Sequence, residues 1–247
     1  MVEPAKNYAR FEISGLEVPL PNGWYFHDEG ASRLDILIPR SEGPQTIEGK
    51  RLEIITRHLT RYYLEVKNMN PADAYATARK SALYDFDCDK QLMDAAQGRR
   101  SMSGVCSIFG PLQFGSKEET HIHILYLDLG RKDINLRIRA HEEQHAITHI
   151  PGAIEMLEDK IKEERGTPIH FDRITDKELA ADCNAVHTLT IKGFDLTDVY
   201  EYDLKRDPVV AKRFKRAMYM YDRGDYSSFG FTANQLSSRI KKILRKR

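Results

Sequence analysis

The segment His141-Glu142-Glu143-Gln144-His145 places two imidazoles four residues apart with a carboxylate between them. On an α-helix, residues i and i+4 project from nearly the same face, so both rings can offer a nitrogen to one cation about 2.0–2.1 Å away. Glu142 follows His141 by about 100° of helical arc, which places its carboxylate beside that cation as a general base. The spacing therefore predicts most of a zinc site within about one turn of helix.

The flanking segments predict the secondary structure that such a site needs. Residues 120–129 are rich in β-branched and aromatic side chains, which is typical of a strand. Apolar residues then recur at helical spacing from Ile134 to Ile147, and Pro151-Gly152 follows as a stop signal. A strand, a tight turn and a buried helix that contains this motif are what the core of a zinc peptidase requires.

A second predicted helix supplies the remaining zinc ligand. Thr175 or Asp176 is its expected N-cap, and Glu178 and Asp182 share one of its faces because they lie four residues apart. Glu178 is expected to complete the set of zinc ligands. Asp182 is expected to accept a hydrogen bond from the non-metallated nitrogen of a zinc-bound histidine and so to fix the tautomer of that ring.

These residues give the chain a resemblance to a known family. HExxH followed by ExxAD is the signature of gluzincin metallopeptidases, and within that group the chain looks most like the ImmA/IrrE-like peptidases, over about residues 120–190. The resemblance implies a zinc-dependent peptidase that cleaves a narrow protein target, often a repressor. The positions that match the motif are His141, Glu142, His145, His149, Glu178, Ala181, Asp182 and Ala185.

We expect an α+β fold with a zincin-like core, in which a small, mainly antiparallel sheet packs on the buried HExxH helix and additional helices surround it. Residues 1–115 contain short strand and helix patterns that are expected to complete the catalytic sheet. Residues 116–233 are expected to form the catalytic core, and residues 234–247 a basic C-terminal helix.

Hydrophobic periodicity predicts further elements on either side of the motif. Residues 48–68 should form an amphipathic helix, and Asn70-Pro71 should cap a second helix that runs to about Ala96. Strands are expected at residues 34–38 and 105–109. Further helices are expected from Ala153 to Glu164 and from Pro208 to about Tyr221.

Composition sets the broad class of the protein. With 247 residues, 41% hydrophobic and 30% charged, the chain is long enough for one sizeable core or two small ones. Cys88, Cys106 and Cys183 form neither a CxxC pair nor a disulfide framework, which favours a reducing compartment. No apolar run approaches the roughly 18 residues of a membrane span, and no signal-peptide pattern follows Met1. We therefore expect a cytoplasmic protein without a membrane span.

Several other residues have two interpretations each. His149 either contacts substrate or a developing oxyanion, or packs in the core as a helix-end histidine. His121 and His123 share one face of their strand, and they either line the substrate cleft or belong to a solvated face. Three further side chains are candidate oxyanion donors with core packing as the default for each: His187, Tyr219 and Tyr221.

The function that this sequence predicts is a zinc-dependent endopeptidase, in which Glu142 activates a zinc-bound water for attack on a peptide bond. The expected partner is a protein or peptide substrate. The alternative is a regulatory or binding module whose metal is structural or absent, with a transcription factor or nucleic acid as its partner. The basic tail from Gln235 is suited to contact with nucleic acid or an anionic membrane surface, but a solvated helix end is the more common role of such a tail. A zinc hydrolase of a small amide is a third alternative.

Overall fold

The structure is a computed structural model that describes residues 11–13, 16–28, 47–95, 104–114, 116–126, 129–174 and 176–223. The chain forms two compact units. Unit 1 comprises Met1–Phe11 and Pro19–Asp128, and unit 2 comprises Glu12–Val18 and Leu129–Arg247. The main division therefore falls after residue 128, whereas the sequence analysis placed it after residue 115.

The described residues form seven α-helices and five strands, which confirms the α+β class. The expected strand at 34–38 and the expected basic helix at 234–247 lie outside the described residues. Among the described helices, none combines the length and the apolarity that crossing a membrane requires. The elements are β1 (Phe11–Ile13), β2 (Leu16–Val18), β3 (Trp24–Asp28), α1 (Ile47–Glu65), α2 (Pro71–Ala95), β4 (Gly104–Phe114), β5 (Lys117–Tyr126), α3 (Lys132–Ile147), α4 (Ala153–Arg165), α5 (Lys177–Ile191), α6 (Leu196–Arg206) and α7 (Pro208–Arg223).

The three-stranded sheet of unit 1 has the order β3-β5-β4 and is mixed, not mainly antiparallel. β4 pairs antiparallel with β5, but β3 pairs parallel with it, with Trp24 opposite Thr120 and His27 opposite His123. Parallel neighbours need a long connection, and α1, α2 and β4 all lie between β3 and β5 along the chain. Local sequence patterns do not encode that pairing, which is why the expected sheet was wrong in this respect.

Helices α1 and α2 form the helical core of unit 1, close to the predicted bounds. Their contact is built from large residues on α1, such as Leu59 and Tyr62, and small residues on α2. Pro71 begins α2 after Asn70, whose Oδ1 accepts a hydrogen bond from the backbone N–H of Asp73 at 3.0 Å, as expected of an N-cap. The small residues lie four apart on one buried face of α2 and are Ala74, Ala78 and Ala82.

His121 and His123 point into unit 1 and are fully buried. The prediction that the two share a face is confirmed, but the interpretation of a solvated face is wrong. Their neighbours in the interior include Tyr62 of α1 and His27 of β3. An alternating strand pattern predicts which side chains share a face, but the elements that cover the sheet decide which face is buried.

In unit 2, α3 packs along α5, and α5 packs along α7. Helix α5 begins after Asp176, whose Oδ1 accepts a hydrogen bond from the backbone N–H of Leu179 at 3.2 Å, so the expected N-cap is present. The sequence analysis missed α6, a short helix with many charged residues that is capped by Asp195 in the same way. Buried apolar side chains hold it, chiefly Leu196 and Val199.

Candidate metal centre in unit 2

Helices α3 and α5 bring together the three side chains that were predicted to bind zinc. His141 Nε2 and His145 Nε2, one helical turn apart on α3, are separated by 3.2 Å. Glu178 lies in the first turn of α5, with Oε2 3.3 Å from His141 Nε2 and Oε1 3.3 Å from His145 Nε2. Two nitrogens and one carboxylate group thus face a common point.

These distances fit a tetrahedral metal ion. With bonds of about 2.0–2.1 Å, neighbouring ligand atoms of a tetrahedral zinc site lie about 3.3–3.4 Å apart. The nitrogens of His141 and His145 match that spacing, and each lies 3.3 Å from a different oxygen of Glu178, so the carboxylate faces both rings. Two histidines and one glutamate are also a donor set that leaves the fourth zinc position open.

Asp182, one turn after Glu178, fixes the orientation of the first histidine ring. His141 Nδ1 donates a hydrogen bond to Asp182 Oδ1 at 2.7 Å, because an ionised carboxylate can only accept. With its proton on Nδ1, the neutral ring presents the lone pair of Nε2 to His145 and Glu178. The predicted contact between Asp182 and a histidine of the motif is therefore present in the structure.

Two arginines that the sequence analysis missed complete the surroundings. Arg213 of α7 donates to Asp182 Oδ2 at 2.5 Å and to Glu178 Oε2 at 2.9 Å. Arg137 of α3 lies 3.2 Å from Asp182 Oδ1 and 3.4 Å from Asp203 Oδ2. Arg137 precedes His141 by four residues, so helical periodicity could have placed it on the same face as the motif histidines. No sequence pattern near Arg213 relates it to the motif, so its position could not have been predicted.

The electrostatics of the cluster favour a positive charge at His141 Nε2. Burial alone would raise the pKa of Asp182, but Arg137 and His141 hold it at about 2. Hydrogen bonds from His141 and His145 hold the pKa of Glu178 well below its usual range. Burial opposes charge on His141, yet the nearby carboxylates outweigh it and raise the pKa of His141 to about 9. A proton or a metal cation can supply that positive charge.

Glu142, the expected general base, is buried beside the ligands on α3. Its negative charge contributes to the raised pKa of His141, which places its carboxylate within electrostatic reach of the cluster. Glu143 instead accepts a hydrogen bond from Arg139 at 2.9 Å, as expected for a residue about 200° from His141. The two neighbouring carboxylates therefore have different surroundings.

The remaining candidates lie in two different environments. His149 follows the end of α3 and is exposed, so core packing is the wrong interpretation, and contact with a substrate stays a prediction. His187 is buried, with Nδ1 3.2 Å from Tyr221 Oη and Nε2 2.8 Å from Glu164 Oε2. These bonds join α4, α5 and α7. The default interpretation, core packing, therefore accounts for His187, Tyr221 and the buried Tyr219.

No protein-family model, curated protein or solved structure matches this chain. The resemblance to gluzincins and to ImmA/IrrE-like peptidases therefore rests on the motif residues, and membership of either group stays a prediction. The function has to be argued from the geometry of the side chains.

Asn184 holds the two motif helices together, and we predict that Asn184→Ala destabilises unit 2. Asn184 Nδ2 donates to the carbonyl oxygen of Ala140 at 2.8 Å, and both residues are fully buried. Removing the side-chain amide is expected to lower the free energy of unfolding by about 1–3 kcal/mol, because the hydrogen bond between the two helices is lost and the buried side chain leaves a cavity. Urea denaturation of the metal-free protein measures this loss.

Thr190→Val is the matched control on the same helix. Thr190 Oγ1 donates to the carbonyl oxygen of Val186 at 2.7 Å, within α5. That bond joins no two elements, and valine has nearly the volume of threonine, so the expected loss is under about 1 kcal/mol. Equal losses of stability in the two variants would show that the hydrogen bond between Asn184 and Ala140 contributes no more than a hydrogen bond within one helix.

Proposed function

We propose that this protein is a zinc-dependent endopeptidase with a zincin-like core, whose zinc ligands are His141, His145 and Glu178. The observation that supports this most strongly is the convergence of the three side chains from two helices: the two ring nitrogens lie 3.2 Å apart, and each lies 3.3 Å from an oxygen of Glu178. The spacing of the two nitrogens suits a tetrahedral ion, and Asp182 turns the lone pair of His141 Nε2 towards it.

Each residue of the proposed site has its own role in peptide hydrolysis. Zinc, when bound, lowers the pKa of water to about 7 and polarises a carbonyl group. Glu142 accepts the proton from water as the peptide carbonyl carbon is attacked, then gives that proton to the leaving amine as the C–N bond breaks. Asp182 keeps His141 in the required tautomer, and Arg213 orients the carboxylates of Glu178 and Asp182.

We propose a protein or peptide substrate with a narrow target range, on the resemblance to ImmA/IrrE-like peptidases alone. A cytoplasmic location belongs to the same proposal, supported by the absence of a CxxC pair or a disulfide framework among Cys88, Cys106 and Cys183 in the sequence. Nucleic acid is the less favoured partner, because a basic tail is more often a solvated helix end.

One observation favours the alternative, a regulatory module without a catalytic metal. Arg213 donates to both Glu178 and Asp182, so the two carboxylates already have a cationic partner within the protein. A cluster held by such ion pairs does not need a metal for its charge balance. The zinc content and the peptidase activity of the protein together decide between the two functions.

We predict that His145→Ala removes one equivalent of zinc per chain, whereas His149→Ala removes none. His145 Nε2 lies within 3.3 Å of both other proposed donors, so its loss leaves too few ligands for a stable site. His149 is exposed and is not among the three residues that converge. Elemental analysis of the purified wild-type protein and of both variants measures the difference.

The same preparations test the proposed activity. Wild-type protein with zinc is expected to create new N-termini in a proteome-derived peptide library, and treatment with 1,10-phenanthroline should abolish them until zinc is restored. Equal zinc content in wild type and His145→Ala would contradict the ligand assignment. Zinc at this site with no cleavage of any library or intact protein target would support the regulatory alternative.

A further inference from the structure

A second group of histidines meets in the interior of unit 1. His27 of β3 lies directly opposite His123 of β5, and His121 lies two residues before His123 on the same face. His121 and His123 have no exposed surface, and His27 is 2% exposed. Each of the three rings offers one nitrogen, and these nitrogens all lie within 4.8 Å of one another.

A carboxylate lies beside one of these rings. His121 Nε2 lies 3.4 Å from Glu119 Oε2, while His121 Nδ1 lies 2.9 Å from His27 Nε2. Glu119 accepts hydrogen bonds from Tyr62 and Lys67, which hold it in place. The negative charge beside Nε2 favours a proton there, and His121 Nδ1 then accepts the hydrogen bond that His27 Nε2 donates.

The surroundings keep the rings neutral. Burial, together with the other histidines nearby, lowers the pKa of His27 and His123 well below the ordinary value. Burial also lowers the pKa of His121, although Glu119 opposes this effect. Neutral rings suit a metal, because metal-binding histidines must be deprotonated. Since one nitrogen of the pair His27 Nε2 and His121 Nδ1 donates to the other, binding also requires one ring to present its lone pair in place of that N–H.

We propose that His27, His121 and His123 form a second metal site, which takes a first-row transition-metal ion such as Zn²⁺ through three neutral imidazoles. Imidazole nitrogen is a preferred ligand for Zn²⁺, Cu²⁺ and Ni²⁺. Complete burial suits a structural ion that ties β3 to β5, not one that meets substrate. This site lies within unit 1 and is separate from the proposed catalytic centre.

Metal binding requires a rearrangement of the rings. The rings of His27 and His123 stack with an angle of 6° between their planes and 4.2 Å between centroids. A metal ion lies close to the plane of each imidazole that binds it, so one ring must turn about its Cβ–Cγ bond. The separations of up to 4.8 Å must also shrink towards about 3.3–3.4 Å. The ion therefore assembles this site, whereas the two histidine nitrogens in unit 2 already have the required spacing.

Cobalt binding to the full-length chain tests the proposal. The double variant His141→Ala/His145→Ala removes the proposed site in unit 2, and Co²⁺ is then added to metal-free protein. One equivalent is expected to bind with the visible absorption of nitrogen-coordinated Co²⁺. Adding His123→Gln should weaken this binding by more than the about 10–100-fold that loss of an outer hydrogen-bond partner costs.

His58→Gln in the same background is the matched control. His58 is also buried, and its ring meets His123 edge-on at 5.7 Å between centroids, but it is not one of the three converging residues. It should leave cobalt binding unchanged, and equal weakening by His58→Gln and His123→Gln would overturn the assignment. Circular dichroism shows whether the variant with His123→Gln folds. If it does not, the cobalt stoichiometry of the double variant decides, because the double variant has no substitution in unit 1.

The stoichiometries separate this proposal from the proposed function. Two ions in wild type and one in the double variant support both sites. One ion in each supports the site in unit 1 and contradicts the zinc site in unit 2. One ion in wild type and none in the double variant overturns the site in unit 1 alone, and no ion in either overturns both.

Discussion

Glu142→Gln is expected to lower the rate of peptide hydrolysis by about 10²–10⁴-fold while zinc remains bound. The amide has nearly the same shape as the carboxylate but cannot accept the proton from water. The zinc ligands His141, His145 and Glu178 are unchanged, so the metal content should equal that of wild type. New N-termini in a proteome-derived peptide library, read by mass spectrometry, measure the rate, and elemental analysis measures the metal.

Glu143→Gln controls for the loss of a buried carboxylate from the same helix. Glu143 is as buried as Glu142, but its carboxylate accepts from Arg139, and we place it outside the catalytic machinery. It is expected to retain hydrolysis. A Glu142→Gln variant that cleaves at the wild-type rate would show that the general base is another group. Loss of zinc from this variant would instead show that Glu142 helps to hold the metal.

The sequence predicted the candidate zinc residues because their relations are local. His141 and His145 share a face through helical periodicity, as do Glu178 and Asp182, and the N-cap at Asp176 sets where the second helix begins. Only the meeting of the two helices is long-range. Small residues at their contact, Ala181 and Ala185, made close packing plausible, and both are fully buried.

Arg213 and the histidines of unit 1 show what local patterns leave out. Arg213 lies 31 residues after Asp182 along the chain, and only the packing of α7 on α5 brings it to the carboxylates. His27 and His123 belong to strands separated by two helices and another strand, so their pairing depends on the parallel register of β3 and β5. Which strands pair over such sequence distances depends on how the side chains of the whole core pack, not on the local sequence.

The predicted domain organisation also depends on long-range packing, and it stays a prediction. The strand before the motif is adjacent in sequence to α3, which suggested a shared catalytic sheet. In the structure β5 pairs with β3 and β4 within unit 1, while α3 belongs to unit 2. The expected packing of the sheet on the HExxH helix stays a prediction. Short connections make neighbouring elements good candidates for contact, but they do not fix the boundary between compact units.

Asp182→Asn is expected to weaken both zinc binding and the fold of unit 2. Asp182 is fully buried and joins His141, Arg137 and Arg213. The amide of asparagine is a weaker acceptor than a carboxylate and can also turn its NH₂ group to His141, so the tautomer of His141 is held less firmly, which should lower zinc affinity by about 10–100-fold. The buried Arg137 and the partly exposed Arg213 lose a shared counter-charge, which should lower the free energy of unfolding by about 3–5 kcal/mol. Competition with a zinc chelator and urea denaturation of metal-free protein measure the two effects separately.

Asp203→Asn distinguishes the loss of the histidine contact from the loss of a buried charge. Asp203 is also buried and lies 3.4 Å from Arg137 Nε. Burial raises the pKa of Asp203, so its carboxyl group ionises less readily than one in water. Because Arg137 keeps Asp182 as a partner, this variant should lose less stability, and its zinc affinity should equal that of wild type. If the two asparagine variants bound zinc equally well, Asp182 would act only on stability, and His141 would keep its orientation through the packing of α3 alone.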